Sequence, residues 1–150
     1  MKLREFNTYR EMEDAHQKDI NDFPMTYIFG RKTDEEIKEE LAKIGAKSLD
    51  ECCSVFGCGD VVRKADVSKL KELFTLQHRE RRHFAENEKK LVEMIYYEMN
   101  NHEYGYTQHP HDTLMALGKS YSDLETDERF FKAWSKAEKQ CFKDFDEVNR

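Results

Sequence analysis

The residues best suited to chemistry in this 150-residue sequence lie in the stretch from Glu98 to Gly118, which reads EMNNHEYGYTQHPHDTLMALG. This stretch contains three of the six histidines, and carboxylates and amides adjoin them. Glu98 and His102 are four positions apart, so on a helix the carboxylate can bind one imidazole nitrogen and leave the other to act. General acid–base catalysis can use such a pair. No serine or cysteine nucleophile motif accompanies it.

Metal binding is the second chemistry that this stretch could support. His102, Glu103, His109, His111 and Asp112 offer nitrogen and oxygen donors for zinc or another divalent ion. Their spacing is irregular, and Pro110 predicts an extended backbone around two of the histidines. We therefore expect no metal and no cofactor.

A structural use of the same polar residues competes with both chemistries. Their side chains can satisfy backbone groups where two helices meet a loop. We favour this use and assign no catalytic residue. The motif of unassigned role comprises Glu98, Asn101, His102, Glu103, Tyr104 and Asp112.

A basic segment precedes this stretch. Residues 61–90 carry 9 basic and 5 acidic side chains, a balance of +4, whereas the arms before and after it carry −5 each. The guanidinium group of arginine binds carboxylates and phosphates through two parallel hydrogen bonds. The basic segment is therefore predicted to contact an acidic partner. The alternative is a solvated helical face on which Glu80 offsets some of the charge. The predicted partner-binding residues are Arg79, Arg81, Arg82, Lys89 and Lys90.

Helices must position both features. Leu91, Val92, Ile95 and Met99 have helical spacing, and His102 falls next on the same stripe. Ser122-Asp123-Leu124-Glu125 fits a capping box, which predicts that a helix begins there. The last helix should bury one aromatic-rich stripe, formed by Phe130, Trp134, Ala137, Cys141 and Phe145.

Three short apolar runs predict strands, at residues 25–29, 53–56 and 60–63. The last two are joined across Gly57-Cys58-Gly59, a sequence typical of a hairpin. We therefore predict an α+β fold that is mainly helical, with five to six helices and a small antiparallel sheet of about three strands.

Length and composition limit the remaining choices. A chain of 150 residues predicts a single compact domain over residues 1–150. The net charge of −6 argues against general affinity for duplex nucleic acid or anionic membrane. We expect no membrane segment and no signal peptide. The four cysteines lack both a disulfide framework and zinc-ligand spacing, which indicates core positions and a reducing compartment.

The chain resembles a family of small uncharacterised proteins encoded by phages and mobile elements of gut bacteria. The resemblance covers roughly residues 20–140 and includes Phe23-Pro24-Met25 and Arg63-Lys64-x-Asp66. Its main motif is Tyr97-Glu98-x-x-Asn101-His102-Glu103-Tyr104, then Thr107 and Asp112-Thr113-Leu114-x-Ala116-Leu117-Gly118. His109 and His111 are not part of the pattern. The resemblance implies origin rather than mechanism, and it implies the cytoplasm of a bacterial host.

Together these observations favour a non-enzymatic accessory protein that binds and modulates a host protein or nucleoprotein complex. An inhibitor of a nucleic-acid-guided defence nuclease is one concrete version, and self-association into a homo-oligomer is compatible with it. The alternative is a metal-dependent hydrolase or nuclease centred on His102. A third reading is direct nucleic-acid binding through residues 79–90, which predicts affinity that falls steeply with salt.

Overall fold

The computed structural model of the chain describes residues 2–149 and has the α+β fold that the sequence predicts. Its α-helices are α1 (Tyr9–Asp22), α2 (Asp34–Lys43), α3 (Val67–Phe84), α4 (Glu88–Asn101), α5 (Tyr104–Thr107), α6 (His111–Ala116), α7 (Tyr121–Thr126) and α8 (Glu128–Val148). Its strands are β1 (Met25–Tyr27), β2 (Cys52–Cys53) and β3 (Asp60–Arg63). Single 3₁₀ turns lie at Leu49–Glu51 and Lys64–Asp66. Helices dominate, as expected.

The described residues contain more helices than the five to six predicted. The additional helices are short: α5 lies between Asn100 and His111, where apolar residues show no helical periodicity, and α7 is separate from α8. The capping box predicted at Ser122-Asp123-Leu124-Glu125 is also misplaced. Ser120 rather than Ser122 begins α7: its backbone N–H and its hydroxyl both donate to Asp123, at 2.8 and 3.2 Å.

Two groups of residues form separate compact units. The first unit is Asp14–His78, and the second combines Lys2–Glu13 with the described residues from Arg79 onward. Helices α1 and α3 contribute residues to both. The single compact domain expected from the length stays a prediction.

The first unit contains the sheet, whose order is β1-β3-β2 with both pairs antiparallel. In the register, Thr26 faces Val61 and Cys52 faces Arg63. Leu41, Ile44, Ala46, Cys52 and Val61 form the core beneath it. Helix α2 begins after Thr33, whose hydroxyl accepts from the Glu36 backbone N–H at 3.2 Å.

The loop between β2 and β3 differs from the predicted hairpin. Residues 54–56 do not continue the strand, because their polar groups turn inward to Asp60, which is 1% exposed. The Asp60 carboxylate accepts from the Ser54 hydroxyl and the Val55 N–H, each at 2.7 Å, and from the Phe56 N–H at 3.0 Å. These hydrogen bonds replace the ladder bonds that a longer β2 would make.

The second unit is built on α4 and α8. Their facing sides form one core cluster in which Ile95, Met99, Trp134 and Ala137 are at most 4% exposed. The predicted α8 stripe is confirmed from Phe130 to Cys141, since Phe130, Ala133, Trp134, Ala137 and Cys141 are its buried residues. A smaller cluster joins Tyr9 and Met12 of α1 to Phe84 and Met94.

Residues 2–149 contain no candidate transmembrane helix. None of the helices there combines enough length with enough apolar character to traverse a bilayer.

Candidate functional site

The end of α3 presents an arginine face to solvent. Arg79 and Arg82 are exposed and lie three positions apart on the helix. Within residues 2–149 neither side chain has a hydrogen bond or an ion pair. We call these two residues the arginine face; Lys89, at the start of α4, is exposed as well.

The nearest carboxylates are occupied elsewhere. Glu80 was predicted to offset the charge of this face, but it is 1% exposed and accepts from Arg4. Glu86, four positions after Arg82, lies 3.3 Å from Nδ1 of His83. The positive charge of Arg79 and Arg82 is therefore left uncompensated by the acids closest in sequence.

The other two residues of the predicted partner-binding set have structural roles. Nη2 of Arg81 lies 3.4 Å from Oε1 of Glu13. Nζ of Lys90 donates to the Phe6 carbonyl at 2.6 Å and lies 5.1 Å from the centre of the Phe84 ring. Within the second unit, Arg81 and Lys90 therefore hold Glu13 and Phe6 of the N-terminal segment.

Glu80 is the residue of this region that the sequence reasoning missed. Its carboxylate accepts from the Arg4 backbone N–H at 2.8 Å, from Nε at 2.9 Å and from Nη2 at 2.8 Å. These contacts border a cavity of about 320 Å³ that Phe6, His83 and Lys90 also line. A glutamate within an arginine run gives no sequence signal for burial, because its partner is 76 positions away.

His83 lies in the same cavity wall between two carboxylates. Nε2 is 2.6 Å from Glu5 and Nδ1 is 3.3 Å from Glu86. The hydrogen bond to Glu5, and then the negative charges of Glu5 and Glu86, raise the pKa of the His83 imidazole above its ordinary value. The charged imidazolium form is therefore favoured here.

The Glu98–His102 pair predicted from sequence spacing is present. Oε2 of Glu98 lies 3.3 Å from Nε2 of His102, and Glu98 is 5% exposed. The Tyr9 hydroxyl donates to the other carboxylate oxygen at 3.0 Å. Burial, followed by the charges of Glu13 and Glu98, raises the pKa of this hydroxyl far above its usual value, so Tyr9 remains a donor.

This arrangement holds one imidazole nitrogen in place. The His102 side chain is about a third exposed. Among residues 2–149 its ring has no other side-chain partner, and neither a serine nor a cysteine is bonded to it. The geometry fits an oriented acid–base histidine without an adjacent protein nucleophile.

The rest of the polar motif divides between core and surface. Tyr104 is 6% exposed, packs edge-on against Trp134, and donates its hydroxyl to Glu138 at 2.7 Å. Asn101, Glu103 and Asp112 are exposed. Glu103 adopts a left-handed backbone with φ of 55°, which reverses the chain before Tyr104. Glu98 and Tyr104 are thus held in the core by bonds to other side chains rather than to backbone groups.

His109 and His111 are exposed, as is Asp112. Across the described chain no three histidine, cysteine, aspartate or glutamate side chains are grouped closely enough to hold a metal ion. The donors proposed for the metal alternative are therefore near in sequence but not assembled.

The chain belongs to a family of unknown function, DUF7659, whose model matches residues 8–140. This match confirms that the family is an uncharacterised one, and it spans both the arginine face and the polar motif. No curated protein and no solved structure matches the chain.

Proposed function

We propose that this member of DUF7659 is a non-enzymatic protein that binds an acidic surface of a host protein or nucleoprotein complex and modulates it. The arginine face is the proposed contact. The observation that carries the proposal is that Arg79 and Arg82 are exposed without a carboxylate partner, while Arg81 and Lys90 beside them are engaged.

Two arginines at this spacing suit an acidic partner. Like charges three positions apart repel each other and weaken a helix by about 0.2–0.5 kcal/mol. A partner carboxylate relieves that repulsion and accepts two parallel hydrogen bonds from a guanidinium. Arginine is also among the residue types enriched at protein interfaces, and it is frequent among those that dominate binding energy.

The class of partner is suggested by the resemblance to proteins of phages and mobile elements. Such proteins are often accessory factors directed at host machinery. An inhibitor of a nucleic-acid-guided defence nuclease is the concrete version that we propose. The acidic arms, residues 1–60 and 91–150, would then compete with nucleic acid for a basic groove of the nuclease, while the arginine face makes a contrasting contact.

The test uses charge reversal of the two arginines alone. A carboxy-terminally tagged chain captures its partner from a host lysate, beside the R79E/R82E variant and a matched K69E/K71E control. Lys69 and Lys71 are exposed, are close in sequence to each other, and have no ion pair among the described residues. We expect one protein to be retained by wild type and control, with at least a tenfold loss for R79E/R82E.

Two results would contradict this proposal. One is a partner that wild type and R79E/R82E retain equally. The other is equal loss with the K69E/K71E control, which would show that net charge alone matters. Circular dichroism of each variant verifies that helix content is unchanged.

A second candidate function is hydrolysis centred on His102, with or without a divalent ion. The specific observation in its favour is the buried Glu98, which orients one imidazole nitrogen as a general base requires. Without a protein nucleophile, His102 would activate a water molecule.

Wild type, His102→Ala and Glu98→Gln should be compared on phosphodiester and ester substrates with magnesium, manganese and zinc. Removing a general base lowers the rate by about 10²–10⁴-fold. If His102→Ala leaves both the metal content and the activity of the protein unchanged, the hydrolase function is excluded.

A further inference from the structure

Helix α8 carries a row of lysines that the arginine face does not include. Lys132, Lys136, Lys139 and Lys143 are all exposed. At 100° per residue they fall within about 60° of one another, along about 16 Å of helix. We call these four residues the lysine row. It lies opposite the stripe of α8 that Ala133, Ala137 and Cys141 bury in the core.

The four ammonium groups of the lysine row have no ion pair within residues 2–149. Lys132 and Lys136 are like charges four positions apart, and so are Lys139 and Lys143. Each such pair destabilises a helix, whereas an ordinary solvated face alternates the two signs.

Glu138, the carboxylate within the row's span of α8, is bonded elsewhere: it accepts from the Tyr104 hydroxyl at 2.7 Å and from the Trp134 indole at 3.2 Å. Asp144, one residue past the row, accepts from the Tyr96 hydroxyl and, at 2.6 Å, from the Gln140 amide. Exposed carboxylates flank the row at both ends, because Glu128 lies four positions before Lys132, and Asp146 and Glu147 lie three and four positions after Lys143. The uninterrupted positive charge is therefore the stretch from Lys132 to Lys143.

We propose that the lysine row is a binding surface for the phosphate backbone of duplex nucleic acid. Lysine is depleted in protein interfaces, where aromatic residues and arginine are enriched, so four lysines in a row do not resemble a protein contact. Ammonium groups neutralise phosphates as point charges and release counterions. The row contains no aromatic side chain on which the bases of a single strand could stack, so a duplex is the form of nucleic acid that fits it.

The negative net charge of the molecule confines the proposed contact with nucleic acid to the lysine row. The chain carries −6 overall, which repels a polyanion everywhere except at a continuous basic surface. The row is distinct from the arginine face, so this inference does not depend on the proposed function.

The experiment measures fluorescence anisotropy of a labelled 20-base-pair DNA duplex of mixed sequence between 20 and 200 mM salt. The variants are K132Q/K136Q/K139Q/K143Q, K139Q alone, and R79Q/R82Q. The matched control is K38Q/K47Q/K69Q/K71Q, which removes the same charge from four exposed lysines that have no ion pair in the described chain.

We expect wild type to bind the duplex, with a slope of log affinity against log salt of about −3 to −4. The quadruple α8 variant should lose at least about tenfold in affinity at 50 mM salt, and K139Q should make the slope shallower by about 1. The control and R79Q/R82Q should stay within about twofold of wild type.

Several results would overturn the inference. They are no binding by wild type at 20 mM salt, an equal loss in the control, and a loss confined to R79Q/R82Q. Lysine-dependent binding to poly-glutamate or to phosphatidylserine vesicles without binding to the duplex would also overturn it, because the row would then serve an acidic protein or a membrane. Unchanged thermal unfolding of the variants excludes misfolding as the cause of a loss.

Discussion

Buried carboxylates fix much of the local geometry at the scale of single residues. Asp60 and Glu80 are each 1% exposed, and Glu98 is 5% exposed. Asp60 and Glu80 each accept at least two hydrogen bonds, and Glu98 accepts one from Tyr9 and lies beside the imidazole of His102. A buried carboxylate without such donors would cost several kcal/mol, so these residues select the conformations that supply them.

His83 gives a prediction that belongs to this scale. Its pKa is raised in the folded state, chiefly by the hydrogen bond to Glu5. The stabilisation by His83 is therefore complete below its unfolded pKa of about 6.5 and is lost as the pH rises through the folded value. We expect the free energy of unfolding of wild type to fall as the pH rises above about 6.5, and to fall less in His83→Gln.

Urea unfolding at constant ionic strength between pH 6 and pH 9 measures this difference. His78→Gln is the matched control, since His78 is exposed and has no ion pair among the described residues. If the free energy of unfolding depends on pH in the same way for wild type and His83→Gln, the carboxylates of Glu5 and Glu86 do not stabilise the imidazolium.

At the scale of elements, periodicity and capping identify the long helices but not α5. Helices α4 and α8 could be predicted because Leu91, Ile95, Trp134 and Ala137 recur at helical spacing. Helix α5 is four residues long, and left-handed residues flank it, Glu103 with φ of 55° and Gln108 with φ of 56°. Glycine is the usual signal for that conformation, and neither position carries a glycine, so sequence patterns do not predict it there.

Strand β2 shows a second limit of sequence patterns. Cys53-Ser54-Val55-Phe56 has the composition of a strand, yet only Cys52–Cys53 pairs with β3. A single acceptor, Asp60, competes for the backbone N–H groups of Val55 and Phe56. Apolar alternation cannot reveal this competition, because it depends on a side chain across the loop.

The loop of residues 54–59 should therefore depend on Asp60. Burial by itself would raise the pKa of this carboxyl, but the hydrogen bonds from Ser54 and from the backbone of Phe56, Val55 and Cys58 outweigh it and keep the pKa well below its usual value. We expect Asp60→Asn to lower the free energy of unfolding by roughly 2–4 kcal/mol, and Ser54→Ala by only about 1 kcal/mol.

Chemical denaturation at neutral pH measures both variants. Because the pKa is lowered in the folded state, the stabilisation by Asp60 is present above about pH 4 and is lost as the pH falls further. Below that pH, the difference in free energy of unfolding between wild type and Asp60→Asn should become smaller. A cost for Asp60→Asn no larger than that of Ser54→Ala would contradict the central role of the carboxylate.

At the scale of the whole molecule, the sequence order of residues does not match their grouping. Residues 2–13 belong with residues from 79 onward, and the Arg4–Glu80, Tyr9–Glu93 and Tyr9–Glu98 hydrogen bonds join them across 76 to 89 positions. The fold class and the Glu98–His102 pair could be predicted because they depend on near neighbours. These distant pairings could not, because no local pattern encodes them.

The contact between Arg4 and Glu80 is the point at which this grouping can be tested. Arg4→Ala removes two hydrogen bonds from a fully buried carboxylate, so we expect the free energy of unfolding to fall by roughly 2–4 kcal/mol. Adding Glu80→Gln removes the buried charge and should recover part of the loss.

Thermal and urea unfolding of both variants measure the effect. Arg10→Ala is the control, because Arg10 is an exposed arginine of the same segment and has no ion pair in the described chain. An equal, small change for Arg4→Ala and Arg10→Ala would show that the N-terminal segment contributes little to the second unit.

The pairing of residues 2–13 with α4 also has a consequence for synthesis on the ribosome. Residues 14–78 complete the first unit early, so it can fold while the chain is still being made. Arg4 and Tyr9 leave the ribosome first, yet Glu80, Glu93 and Glu98 are translated later, by on the order of 10 seconds at ordinary elongation rates. Throughout that interval Phe6, Tyr9 and Met12 lack the residues that bury them, and this short segment is the part of the nascent chain that a chaperone would bind.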